Sequence, residues 1–431
     1  MSIQIVLVED CHHTCRAPLA VLGYCLTRSH FFEPFWQDVG AHKHYQHTTF
    51  EKLQDVIVCI LAGCRSLHQV NTRIRADLAL AHAWRRSQFA EQSNLSRTLD
   101  ALSAEDILAL RQGHLQLTHR YSQLRHHDWK RRLVIDIDAT SLLASKRSEG
   151  SEKGWISGRR NRYGRHILRF TVAGCHETLF SILFPGNRHG YEYFKPALQC
   201  FLQHWPWTKA QRSQIILRAD AGLGTNANIS YALWCGFQVL MKGYSGSRTK
   251  AWVRRLSSVD WLADPQSEAR WLAPAPVKLR LGRRLHVSVL RWLDKKHRFV
   301  YATLISTLQE NPFRLWSFYD GRGAAEGEFR TDKSGLKLHL RRKQRLHAME
   351  AWLVLTDMAH NLLAWLHPWM LNGTAFANFG PQRIVQDLLT IPGHLSFHNG
   401  KLTKVALQKS HPYAEEMSIC LHNLLETFDF R

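Results

Sequence analysis

The chain has 431 residues, of which 45% are hydrophobic, a composition that excludes wholesale disorder and allows two or three domains with buried cores. Lys and Arg number 57 against 35 acidic residues, and the formal charge of +22 favours a polyanionic partner such as nucleic acid. The nine cysteines are scattered and odd in number, which indicates reduced thiols in a cytosolic setting and excludes a disulfide framework.

Residues 1–125 are predicted to form a helical region that binds DNA. Apolar residues recur with helical spacing at 50–64, 71–84 and 105–125. Ser93 or Asn94 is placed to cap a helix that carries Arg97 outward. A short helix, a turn and a second helix suit DNA binding, so Arg97 is a candidate DNA contact, although many other helix pairs share the pattern.

Residues 126–244 change to short β-branched segments separated by turns. Strands are predicted over 133–138, 166–173, 178–184, 215–220 and 237–241, and helices over 191–204 and 226–235. The resulting order is three strands, a helix, a strand, a helix and a strand. This order predicts an α/β fold built on a mixed sheet.

Residues 245–318 interrupt this pattern with a β-rich insertion subdomain. Apolar and polar residues alternate as in strands at 277–281, 285–290, 299–304 and 314–318. Helical character returns over 319–375, and no role is predicted for the C-terminal region 376–431. The apolar run 348–371 carries Glu350 and Asp357, so we predict a buried helix there and not a membrane span. The start of the chain lacks a basic segment, which predicts that no signal peptide is present.

Two of the predicted strands end in an aspartate, at the edge where α/β sheets commonly expose functional groups. Asp136 and Asp138 alternate onto one face, so spacing alone does not choose between them. We favour Asp138 because the end of the predicted strand is open to solvent and metal. Asp220 precedes Ala-Gly-Leu-Gly, whose small residues leave room for a phosphate. A helix cap or turn residue is the alternative interpretation of either aspartate alone.

A third group of polar residues follows the insertion. Tyr319, Arg322, Glu326 and Lys333 are spaced by three, four and seven, so on one helix they would fall within roughly 60° of one face. The carboxylate suits a hard cation, and the three donors suit phosphate oxygens. A solvated helix face with Arg322–Glu326 pairing is the alternative, and nearby glycines weaken the predicted helix.

These residues resemble the DDE transposases of bacterial insertion sequences, in the group marked by a Tyr-x2-Arg-x3-Glu-x6-Lys signature. Tyr319, Arg322, Glu326 and Lys333 fit this spacing without a gap. The resemblance covers about residues 130–370. It implies an RNase H-like mixed-sheet core, interrupted by a β-rich insertion before the glutamate and preceded by a helical DNA-binding region.

The resemblance implies a transposase that cleaves insertion-sequence ends and transfers the strands to target DNA, by cut-and-paste movement through a hairpin at the transposon end. Asp138, Asp220 and Glu326 would be its catalytic residues and would hold two Mg²⁺ ions, with Mn²⁺ as a substitute. The other three residues of the signature would bind DNA phosphates near the cut.

The implied partners are double-stranded DNA, as terminal inverted repeats and as target, and a second copy of the chain on the paired ends. The implied location is the bacterial cytoplasm, in association with the nucleoid and without a membrane. Two basic clusters are candidate DNA contacts, with solvated surface as the alternative: Arg159 and Arg160, and Arg341 and Arg342. Four tryptophans of the insertion are candidate platforms for a flipped base, with core positions as the alternative: Trp252, Trp261, Trp271 and Trp292.

Two rival functions remain open from the sequence. One is a catalytically inactive or domesticated DNA-binding protein derived from a transposase, and the other is an RNase H-like nuclease that cuts without joining. The intact set of three acidic residues favours an active transposase over the first rival.

Overall fold

The computed structural model describes residues 11–41, 46–265, 267–276, 279–323 and 332–429. The chain divides into two compact units. One unit combines residues 1–122 with 330–431, and the other consists of residues 123–329. Each unit is described by itself below.

The N-terminal part of the first unit is mostly helical, as the apolar spacing predicted. Its elements are β1 (His13–Thr14), α1 (Ala17–Arg28), α2 (Glu33–Trp36), α3 (Thr49–Leu61), α4 (His68–Arg73), α5 (Leu78–Ala83), α6 (Gln92–Ala101) and α7 (Ala104–Tyr121). Capping boxes at Thr48 and Ser103 begin α3 and α7. The predicted cap of α6 is wrong by two or three residues, since the N-cap is Glu91 and not Ser93 or Asn94.

The second unit is built on a large mixed sheet. Its first part contains a 3₁₀ turn (Gln123–His126), β2 (Leu133–Leu143), β3 (Glu152–Ile156), β4 (Arg159–Val172), β5 (Thr178–Pro185), α8 (Gly190–His204), α9 (Lys209–Ser213), β6 (Ile215–Ala219), α10 (Asn226–Trp234) and β7 (Gln238–Lys242). The central order is β5-β4-β2-β6-β7, in which β5, β4 and β2 are antiparallel and β2, β6 and β7 are parallel. This arrangement confirms the predicted mixed α/β class.

The remaining strands of this unit extend the same sheet. They and their helices are α11 (Gly246–Val253), a 3₁₀ turn (Ser258–Asp260), β8 (Leu262–Asp264), β9 (Ser267–Pro274), β10 (Leu279–Leu281), β11 (Arg283–Leu293), β12 (Phe299–Ser306) and α12 (Pro312–Asp320). The strand β12 pairs with β7, and β11, β9 and β8 follow outward. The strand predicted at 314–318 is wrong, because Asn311 caps a helix there and Leu315, Trp316 and Tyr319 are buried along one side of it.

The C-terminal part of the first unit packs on its N-terminal helices. It contains a 3₁₀ turn (Leu338–Leu340), α13 (Leu346–Leu366), π-helical turns at His367–Leu371 and Ile384–Leu388, α14 (Pro381–Arg383), β13 (Gly393–His398), β14 (Lys401–Leu407) and α15 (Ala414–Thr427). The helix α13 is buried within a core shared with α1, α3 and α7, as predicted. Among the helices of the described ranges, none combines the length and the apolar character that crossing a membrane requires.

Candidate active site

Two aspartates lie side by side where the parallel pairing of β2 with β6 ends. The pairing of β2 with β6 joins Asp136 to Arg218 and ends at Ile137 and Ala219. Asp138 and Asp220 are the next residues on the two strands, on the face that Asp136 and Arg218 also share. Neighbouring strands lie about 4.8 Å apart, so the register brings the two half-buried carboxylates together.

The strand β2 does not end at Asp138, as the sequence predicted, but continues to Leu143. In the described part of the chain, the pairing of β2 with β6 ends at Ile137. The pairing of β2 with β4 continues as far as Leu143, which pairs with Gly164. Asp138 therefore lies where the sheet opens on one side. Its direct neighbour on β4 is the buried Arg169.

Asp136 has different surroundings, although it is only two residues away. Its side chain is buried, and both carboxylate oxygens accept hydrogen bonds from Arg218, from Nε at 2.6 Å and from Nη2 at 2.8 Å. Arg218 also donates to the backbone carbonyl of Phe318 in α12. This bidentate pair binds β2 to β6 and ties both strands to α12.

One residue of the turn after α12 lies beside the Asp138 carboxylate. Arg322 places Nη1 3.7 Å from Asp138 Oδ1, and its Nε donates to the Tyr319 hydroxyl at 3.0 Å. The ammonium of Lys242 lies over the Tyr319 ring, 4.9 Å from the centroid. Asp138 is thus linked through Arg322 and Tyr319 to Lys242, and both Arg322 and Tyr319 are buried.

Lys242 is a site residue that the sequence analysis missed. Ala219 of β6 pairs with Met241 of β7, and Asp220 and Lys242 are the next residues after this pair. The two residues are therefore neighbours across the strands. Asp138, Asp220 and Lys242 therefore lie in this order at adjacent positions across three neighbouring parallel strands, on one face. The signal in the sequence was a lysine directly after the predicted strand 237–241, but only the register places it beside Asp220.

The loop after Asp220 is kept small by glycine. A Cβ on Gly222 would lie 3.2 Å from Asp220 Oδ1, and a Cβ on Gly224 would collide with the carbonyl of Lys242. Gly190, at the start of α8, faces the same loop, because a Cβ there would lie 3.9 Å from the Gly222 carbonyl. A side chain at Gly222 would lie against the Asp220 carboxylate, so glycine at this position leaves that carboxylate uncovered.

Of the four signature residues, Tyr319 lies on α12, whereas Arg322 lies in the turn that follows this helix. The prediction that one helix carries both Tyr319 and Arg322 is wrong, since α12 ends at Asp320 and Gly321 caps it. Glu326 lies outside the described residues. Lys333 belongs to the first unit, where its carbonyl accepts a hydrogen bond from His339 and its neighbour Asp332 forms a buried contact with His360.

The predicted surface arginines fall into two groups. Arg97, Arg159, Arg160 and Arg342 are exposed. Arg341 is buried, donates to the Cys64 carbonyl at 2.8 Å and lies over the Trp352 ring, so the prediction that it contacts DNA is wrong. Burial lowers the pKa of Arg341 to about 10, and the neighbouring Cys59 and Cys64 oppose that effect.

The predicted tryptophan platforms differ in exposure. Trp252 is buried beside Arg248, whereas Trp261, Trp271 and Trp292 are partly exposed on the outer strands. Trp261 and Trp271 both contact the Arg291 guanidinium, at 4.3 and 4.8 Å from their ring centroids. In the described structure, the rings of these two residues are therefore occupied by an arginine.

The donor set at the two strand ends suits a hard divalent cation. Carboxylate oxygens are ligands that Mg²⁺ prefers, and Asp138 and Asp220 present them from adjacent positions. Within the residues described, no group of three or more acidic, histidine or cysteine side chains is close enough to hold a metal.

Comparison with known proteins identifies a family. Residues 29–428 match the family described as Transposase DDE domain group 1. Among solved structures, the chain is similar to a piggyBac transposase in a synaptic complex with hairpin DNA, with 10% sequence identity, a TM-score of 0.44, and coverage of 84% of this chain and 77% of that one. The search of curated proteins finds no match.

Proposed function

Because the chain belongs to the Transposase DDE domain group 1 family, we propose that it cleaves the ends of a bacterial insertion sequence and joins them to target DNA. Asp138, Asp220 and Glu326 are the proposed catalytic residues. The observation that carries this proposal is the placement of Asp138 and Asp220 at adjacent strand ends on one face, with Arg322, Tyr319 and Lys242 around them.

The three carboxylates are proposed to hold two Mg²⁺ ions, for which Mn²⁺ is a substitute. When bound, such ions activate the attacking oxygen and stabilise charge on the leaving oxygen of the phosphodiester. Clustered carboxylates repel one another, and cation binding relieves this repulsion. Gly222 supports the proposal, because the absence of a side chain there leaves the Asp220 carboxylate uncovered.

The cationic side chains around the carboxylates are proposed to bind and orient the scissile phosphate. Arg322 offers a planar guanidinium that is already held by Tyr319 and Asp138, so little conformational entropy is lost when it binds a phosphate. Lys242 adds a second positive charge at the end of β7. Lys333 is proposed to bind a DNA phosphate near the cut.

The DNA is proposed to be the inverted repeats at two transposon ends, followed by the target duplex. Exposed arginines provide sequence-independent contacts with phosphates, and the candidates are Arg97, Arg159, Arg160 and Arg342. A homodimer would hold the two ends together, and cut-and-paste movement would proceed through a hairpin at each end. The net charge of +22 supports a polyanionic partner of this kind.

An assay with labelled end DNA tests the proposal. The purified full-length protein, duplex DNA carrying the terminal repeat, a target plasmid and Mg²⁺ should give cleaved ends and joined products. Asp138→Asn, Asp220→Asn and Glu326→Gln should each abolish cleavage and leave binding intact. Asp294→Asn, in an exposed turn of the same unit, should leave both cleavage and binding intact.

Each other result of this assay identifies a different function. Binding without cleavage by the wild-type protein would indicate a domesticated DNA-binding protein, and cleavage without joining would indicate a nuclease. Cleavage by one of the three carboxylate variants would remove that residue from the site.

A further inference from the structure

The small sheet of the first unit ends in an edge strand. Its order is β1-β13-β14, so among the described strands β14 pairs only with β13. Asn399 and Gly400 form the two-residue turn between β13 and β14, with positive φ at both positions (50° and 71°). This backbone matches the tight turns that fit the twist of a hairpin. The turn therefore fixes the register of the hairpin and the positions of the side chains on β14.

A groove of about 600 Å³ is lined by residues of β14, α1 and α15. Its buried and half-buried leucines belong to the main core of the unit or pack on it, and they are Leu402, Leu421 and Leu425. Its charged residues are Arg28, Lys401 and Lys404, with Asp429 as the acid among them. The groove therefore combines an apolar floor with a net positive charge.

The segment that contributes β13 and β14 carries positive charge that the fold does not use. No acidic residue occurs between Asp387 and Glu415, and Lys401, Lys404 and Lys409 are exposed within this stretch. Within the described ranges, neither lysine of the groove forms an ion pair with a carboxylate. Positive charge that is not neutralised by the protein itself favours a polyanionic partner.

A β-bulge turns the two lysines of the groove to one face of the hairpin. The register shifts between Ser396 and Phe397, so Lys404 pairs with Ser396 whereas Lys401 pairs with His398. Residues two apart on β13 lie on one face, so their partners Lys401 and Lys404 also share a face, although a regular strand would turn residues three apart to opposite faces. The two pairs are about 7 Å apart, and each strand of duplex DNA advances about 3.4 Å per phosphate. Both ammonium groups can therefore reach phosphates of one DNA strand.

We propose that β14 and the groove beside it bind the sugar–phosphate backbone of duplex DNA. Lys401, Lys404 and Arg28 contact phosphates, and the apolar floor faces the sugars. Contacts of this kind position DNA without reading its sequence. They give the C-terminal region, for which the sequence predicts no role, a part in holding the DNA on which the enzyme acts. The inference rests on the proposed function, because it takes the DNA of a transposon as the partner.

Titration of duplex DNA at several salt concentrations, in EDTA to prevent cleavage, tests this contact. A variant with both Lys401→Gln and Lys404→Gln should lower the slope of log affinity against log salt concentration by about two, for end DNA and for an unrelated duplex alike. The matched control carries Lys130→Gln and Lys209→Gln, which remove the same formal charge from exposed lysines that precede β2 and β6. The control should keep the wild-type slope, and both variants should keep the wild-type thermal midpoint.

The other outcomes separate this inference from the proposed function. An unchanged slope in the Lys401 and Lys404 variant, or an equal fall in the control, would overturn the groove as a DNA contact, while cleavage and joining by the wild-type protein would keep the proposed function. An unchanged slope with a lower mass in light scattering without DNA would assign the groove to contact between two copies of the chain, and would overturn the inference. A wild-type protein that bound no DNA would overturn both.

Discussion

At the scale of single residues, the two aspartates of β2 show how partners determine what a carboxylate can do. Asp136 and Asp138 share one face, but Asp136 is fully engaged by Arg218, whereas Asp138 is half-buried where the sheet opens. Removal of one partner from a buried ion pair leaves an uncompensated charge, which is costly. Substitution of Asp136 should therefore lower the stability of the protein, whereas substitution of Asp138 should lower its activity.

Asp136→Asn should destabilise the protein by about 3–5 kcal/mol, because Arg218 loses its counter-charge in a buried setting. Asp138→Asn should leave the unfolding free energy within about 1 kcal/mol and abolish cleavage. Chemical denaturation measures the first effect, and the labelled-end assay measures the second. Asp136→Asn with unchanged stability and no cleavage would identify Asp136 as the catalytic residue.

Lys242→Ala should slow cleavage by about 10-fold or more, because the site loses a positive charge that faces the developing charge on the phosphate. Lys242→Arg should restore part of the rate. Lys195 is a matched control, because its ammonium lies 5.1 Å from the Tyr231 ring centroid, as that of Lys242 lies 4.9 Å from Tyr319. A similar loss with Lys195→Ala would mean that the effect arises from lost packing on an aromatic ring.

At the scale of secondary structure elements, the sequence predicted the core of the sheet well. Short apolar runs between polar turns predict β6 and β7 nearly to the residue, because strands buried on both faces have this composition. The alternation over 314–318 predicted a strand, but a segment of five residues is too short to distinguish the two-residue repeat of a strand from the spacing of a helix. Its cap at Asn311 was the signal for a helix.

The candidate site was only partly predictable, because its geometry depends on strand register. Hydrophobic pattern shows which residues are buried, but it does not show that Asp138 and Asp220 follow the last paired residues of β2 and β6. The same register brings Lys242 beside Asp220 and pairs Asp136 with Arg218. These four relations arise between segments far apart in the chain, so no local pattern contains them.

The helix α3 is joined to the segment after α5 by a buried charge pair that should respond to pH. Asp55 is fully buried and accepts hydrogen bonds from Arg86 at 2.8 Å and from the Ala90 N–H at 2.7 Å. Burial raises the pKa of Asp55 to about 7, above its unfolded value of about 4. The folded chain therefore binds an extra proton between about pH 4 and pH 7.

The contribution of Asp55 to stability should be fully present near pH 4 and should decline as pH rises through 7, by at most about 1.4 kcal/mol per pH unit. The measurement is the difference in unfolding free energy between wild type and Asp55→Asn at pH 5 and pH 8. Because His47 also contacts Arg86, the comparison of the two proteins should be repeated with both carrying His47→Asn. An equal difference at both pH values would contradict a raised pKa.

At the scale of the whole molecule, a charge of +22 acts only through the side chains that can reach a phosphate. The adjacent residues Arg341 and Arg342 distinguish the total charge from the charge that can reach a phosphate. Arg341 is buried against Cys64 and Trp352, whereas Arg342 is exposed. Replacing either arginine by a neutral residue removes one formal charge. Only Arg342, because it is exposed, is placed to contact a phosphate and so release a counterion when DNA binds.

Arg342→Gln should lower the slope of log affinity against log salt concentration by about one and weaken binding to all DNA sequences alike. Arg341→Gln should leave the slope unchanged and should lower the thermal midpoint, because the Cys64 carbonyl loses its donor inside the core. Titration of end DNA at several salt concentrations, with a thermal melt of each variant, measures both effects. Equal changes of slope in the two variants would mean that total charge, and not the exposure of each arginine, governs the binding of DNA.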